Sequence, residues 1–174
     1  LHDALPICFG SDLINAFELF RGTGTDYWAG LVPWEAGEWA QALYEIDATT
    51  YGAKALDLAD TLFVKTIGAD ETFGTLDDGY IGSAGDPWVS GLGLSGLLEG
   101  MATVGSDQSN IDKVIAQLSS MGTYGDFQNA GYYALAMELA GEKSLAVEAG
   151  LDIHNIYSNL GLTNGYTNKA GDPI

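Results

Sequence analysis

Positive charge is scarce in this chain. Five lysines and one arginine face 24 acids, a formal net charge of −18 over 174 residues. Each phosphate contact needs a lysine or arginine, so nucleic acid is excluded as a partner. Anionic membrane surfaces are disfavoured for the same reason. No apolar run approaches the ~20 residues of a spanning helix, so no membrane span is expected. A single cysteine, Cys8, permits neither an internal disulfide nor a cysteine-based zinc site. Also missing are an HExxH string, a phosphate-cradling glycine loop and a Ser/His/Asp set, so no metal and no cofactor are expected. What is present suffices for a packed core: 47% of residues are hydrophobic and 11% aromatic, which excludes disorder of the polar, highly charged kind.

Both ends of the chain carry signals of their own. Leu1-His2-Asp3-Ala4-Leu5-Pro6-Ile7 looks like the translation of a common sequencing-library adapter, and no physical constraint selects that string. Residues 1–7 are therefore set aside from fold reasoning. At the other end, Gly171-Asp172-Pro173-Ile174 repeats Gly85-Asp86-Pro87-Trp88. Aspartate before proline is a strong helix start, because the carboxylate caps free N–H groups and proline suits the first helical position. The expectation is one domain over residues 8–174, cut at both ends from a longer protein.

Between the ends, three segments open alike: Pro33-Trp34-Glu35-Ala36-Gly37, Pro87-Trp88-Val89-Ser90-Gly91 and Asp126-Phe127-Gln128-Asn129-Ala130-Gly131. Their aromatic residues lie 54 and 39 positions apart, which suits a helix-hairpin repeat with variable loops. Each unit pairs two unlike helices. Residues 88–104 and 127–140 are apolar nearly all round, with Glu99 and Glu138 as their lone charges. Such helices must be buried on every side. The glycines at 91, 93, 96 and 100 each cost roughly 1 kcal/mol of helix propensity, for which close backbone approach is the expected return. The partner helices, over 51–67, 109–120 and 142–158, are amphipathic, with Tyr51, Ala55, Leu58, Leu62 and Ile67 approximating the apolar face of the first and Leu145, Leu151 and Ile156 that of the last. One more helix, about Ser11 to Arg21, precedes the first pair. The fold class is thus all-α: repeated hairpins in a partial α/α toroid, with an open helical solenoid as the alternative.

The Pro-Trp-x-x-Gly openings, the Asp-Phe-Gln-Asn-Ala-Gly-Tyr-Tyr-Ala-Leu string from Asp126 to Leu135 and the glycine-rich loops resemble the squalene-cyclase and prenyltransferase repeat class of α/α toroids. The resemblance covers about residues 11–174. It implies a toroid of roughly six or seven hairpins, about half of them present here. Terpenoid cyclase chemistry would use an Asp-x-Asp-Asp acid, but Thr75-Leu76-Asp77-Asp78 lacks the first aspartate. The prenyltransferase zinc set is missing too, since His154 stands alone.

Several glycosidases and polysaccharide lyases also use α/α toroids, and sugar hydrolysis needs two carboxyls flanking the bond. Glu35, Asp77 and Asp78 are the candidate catalytic acids, with Glu38 and Asp126 also near helix openings or the long loop. Trp34 and Trp88, with Asp126, are the candidate ligand-binding residues, because an indole offers a flat apolar face to a sugar ring. An aromatic residue at a repeat-helix start also serves as a packing wedge. The acids could hold calcium, but the 70–78 loop lacks the alternating ligands of an EF-hand. The leading expectation is a non-catalytic binding or scaffold module, with carbohydrate or another protein as partner. A glycan-degrading toroid enzyme is the alternative. Fifteen aspartates, nine glutamates and few lysines point to a salt-exposed microbe, where short screening lengths relieve self-repulsion, and to an extracellular or cell-surface location.

Overall fold

The computed structural model describes residues 9–23, 27–73, 75, 78–80, 87–122 and 127–159. The two terminal signals, together with Asp77 and Asp126, lie outside the described residues. All regular structure among the described residues is helical. Helix α1 spans Phe9–Arg21; a 3₁₀ turn at Tyr27–Leu31 leads into α2, Val32–Ile67. Then come α3 (Pro87–Val104), α4 (Gln108–Met121), α5 (Phe127–Leu139) and α6 (Lys143–Asn159).

Helix α2 is two helices joined at one residue. Asp47 takes extended backbone angles, φ −163° and ψ 93°. Its carboxylate accepts from the N–H groups of Thr49 (3.0 Å) and Thr50 (3.2 Å) and from the Thr50 hydroxyl (2.6 Å), so it caps the second limb, 48–67. These bonds, led by the Thr50 hydroxyl, hold its carboxyl below the usual range. The chain reverses here. The last turns of α1 hold both ends of α2, Arg21 pairing with Glu35 and Glu18 with Lys65 (3.1 Å).

The hairpins stack in one orientation. Gly10 N–H donates to Asp57 (2.8 Å) while Glu18 meets Lys65, so α1 runs parallel to the second limb. The Ser106 hydroxyl, just before α4, donates to Asp60 (2.7 Å), and Lys113 reaches Glu71 (3.4 Å); α4 continues that row. The first limb, α3 and α5 form the other row, their openings at one end. There the Asn129 amide donates to the Trp88 carbonyl (3.3 Å), and Trp34 lies against Gly96.

Backbone contact sets the spacing of the first limb and α3. A Cβ on Gly37 would sit 1.9 Å from the Gly96 carbonyl oxygen, and one on Gly100 would sit 2.8 Å from that of Gly37. The expected return on these glycines is thus found at 96 and 100. Gly91 instead makes room for the Asn129 side chain, at 3.3 Å.

The core lies between the two rows. Leu58 and Leu62 meet Leu94, Leu97, Leu98 and Met101 there, all fully buried. Each contributes roughly 2 kcal/mol of transfer free energy. Two expectations fail locally. Leu135 and Leu139 of α5 are exposed, because α5 packs mainly on α3 and α6, which leave that side open. On α6, Ala149 is buried and Leu151 is exposed. Ala149 follows Leu145 by one turn, whereas Leu151 lies about 240° round the helix from it.

A candidate ligand-binding cleft

Of the acids singled out from the sequence, Glu35 and Glu38 line one cleft, Asp78 is not part of that lining, and Asp77 and Asp126 lie outside the described residues. Glu35 is committed to Arg21, whose Nε lies 3.1 and 3.2 Å from its two carboxylate oxygens. Asp78 is buried in the loop after α2, where it accepts from the Thr75 hydroxyl (3.4 Å). That loop is pinned at Gly79, whose N–H donates to the Thr66 carbonyl (3.1 Å), and at Tyr80, whose hydroxyl donates to Glu18. Burial and the Glu18 carboxylate push the Tyr80 phenol well above its usual range.

Trp34 and Trp88 behave as wedges. Both pack on the small cluster of Leu31, Val89 and Leu92. Trp34 also meets Tyr132 edge to face, ring centres 5.4 Å apart at 71°. The first limb of α2, α3 and α5 are thereby tied together at their openings.

The rings that do face solvent are different ones. Phe17, Phe20 and Arg21 of α1, with Glu35, Glu38 and Trp39 of α2, line an open cleft of about 580 Å³. Phe20 is 85% exposed and Trp39 52%. Helical geometry explains the arrangement: Glu35, Glu38 and Trp39 fall within about one turn, on the side facing α1.

Glu38 links this cleft to a buried acid. Glu99, the lone charge of α3, is 2% exposed, and its Oε1 has no hydrogen-bond partner. Burial, reinforced by the Glu38 charge, pushes its carboxyl up to about 8, so it holds a proton at neutral pH. Burial also raises Glu38; the nearby Trp34 N–H opposes this and the Glu35 charge adds to it. The Tyr132 phenol is raised by burial and then by Glu38 and Glu99. The Trp34 N–H has no partner within bonding distance. Four side chains from three helices thus share one neighbourhood. Sequence reasoning passed over this group, although a single acid on an otherwise apolar helix was its visible signal.

Chemically, one acid of the Glu38–Glu99 pair is sealed from solvent and the other borders the cleft. Among the described residues, no three His, Cys, Asp or Glu side chains gather to hold a metal ion. None of the described helices is long and apolar enough to cross a membrane. In comparisons with known proteins, no family model, curated protein or solved structure matches the chain.

Proposed function

We propose that the chain belongs to a non-catalytic carbohydrate-binding module built as an α/α toroid and exported into a salt-rich medium. The observation that carries this reading is the cleft between α1 and the first limb of α2. It offers exposed aromatic faces, Phe20 and Trp39, beside a few charged groups, the usual make-up of a small-ligand site. Hydrolysis needs two carboxyls that both reach the scissile bond. Among the described acids at the cleft and behind it, Glu35 is engaged by Arg21 and Glu99 is sealed, which leaves Glu38. Same-way stacking of hairpins and a nearly uncharged, fully packed α3 support a closed toroid over an open solenoid.

Titration with neutral and charged oligosaccharides, followed by tryptophan fluorescence and calorimetry, tests the assignment. Saturable binding without new reducing ends is the expected result, weakened by Trp39→Ala. Release of reducing ends would replace the module with a glycan-degrading enzyme. Absence of any binding removes the carbohydrate assignment.

A further inference from the structure

The charges around the cleft do not balance, and the imbalance bears on which sugar fits. Arg21 and Glu35 neutralise one another, and the remaining charged group of the lining is Glu38. Behind it lies Glu99, 98% buried, with a carboxyl oxygen that no donor reaches. Among the described residues no lysine or arginine forms an ion pair with either acid; Arg21, the cation of the lining, is engaged by Glu35.

Resting on the carbohydrate reading above, we propose that the cleft takes a basic sugar, a glucosamine-type unit whose ammonium pairs with Glu38 while its ring lies on Trp39. A neutral sugar seated there would replace the water on the Glu38 carboxylate with hydroxyl donors but return no matching charge, so it compensates a partly buried acid less fully than a cation does. An acidic sugar would add like-charge repulsion. An ammonium supplies both the charge and the donors, and the aromatic faces of Trp39 and Phe20 favour a cation further. The net charge of −18 draws cations toward the molecule as a whole, so a preference made by the cleft must be local to Glu38.

The test compares two ligands of the same ring geometry: the glucosamine tetramer and its fully N-acetylated form, at about pH 6 and low salt. Calorimetry is expected to show the glucosamine tetramer binding about tenfold more tightly, the scale of one partly screened ion pair. Glu38→Gln, which removes one acid of 24, should reduce that ratio to under about threefold, and Glu38→Asp should keep most of it. Trp39→Ala should weaken both ligands alike. Helical circular dichroism checks that each variant is folded.

Equal affinity for the two tetramers would sink the basic-sugar proposal and leave the carbohydrate reading standing. Binding of neither would overturn both. A preference that survives intact in Glu38→Gln would belong to the overall negative field and refute the role of Glu38.

Discussion

Helices α3 and α5 read almost alike: each opens on an aromatic residue, is apolar along its length and carries one glutamate. In the folded chain they differ sharply. Described residues 89–101 of α3 are all buried, Glu99 among them, whereas α5 leaves Leu135, Glu138 and Leu139 exposed. Their glycines differ as well. Gly96 lies in backbone contact with the first limb of α2, while a Cβ on Gly131 of α5 would meet nothing within 4 Å. Hydrophobicity states how much burial a helix can accept. Its neighbours decide how much it receives: α3 is flanked by the first limb and α5 and backed by α4, whereas α5 packs on α3 and α6.

The acid buried in α3 should have the largest effect, through its response to pH. Glu99 holds its proton to about pH 8, well above its ordinary 4.5, so the folded state keeps a proton that the unfolded chain has released. The stability tied to that proton is complete below about pH 4.5 and is lost as pH rises toward 8, a change on the order of 4 kcal/mol. Urea unfolding from pH 4 to 9 should show this fall. Glu99→Gln should flatten it and exceed the parent in stability at pH 8. A parent curve as flat as that of Glu99→Gln would contradict the buried acid.

Methyl groups added to the glycines should follow the same division. Gly37→Ala drives a Cβ into the Gly96 carbonyl and should cost about 3 kcal/mol, or prevent folding. Asp47→Ala removes the cap at the α2 reversal and should lower the melting temperature, by less than Gly37→Ala does. Gly131→Ala, with open space and helical backbone, should stabilise by roughly 0.5–1 kcal/mol. If Gly131→Ala destabilises instead, something covers α5 at that point.

These differences mark what could be read from the sequence. The helices expected over 88–104, 109–120 and 127–140 are α3, α4 and α5 to within a residue or two at each end. Periodicity and Asp/Pro/Gly punctuation are local, so they survive without knowledge of neighbours. The same logic placed Ala55, Leu58 and Leu62 on the buried face of α2. The gathering of Trp34, Glu38, Glu99 and Tyr132 was hidden because it depends on three helices meeting at one end, and no residue-to-residue spacing encodes that. The pairing of Glu35 with Arg21 of α1 was hidden for the same reason. Trp39, one turn further on, carried no motif, yet its ring lines the cleft with those of Phe17 and Phe20.

The one-residue reversal at Asp47 bears on how such a molecule can change over generations. Within each hairpin the link is minimal: Asp47 alone, then Gly105–Asp107, then Ala140–Glu142. Between hairpins the links are longer and unequal, residues 68–86 in one case and 122–126 in the other. That inequality accounts for most of the difference between the 54- and 39-residue spacings. Extra length is therefore best tolerated at one end of the stack, where the hairpins open and where Glu35 and Trp34 stand. The opposite end, with links of one to three residues, has little slack. A loop lengthened at the first end would leave the pairing within each hairpin untouched.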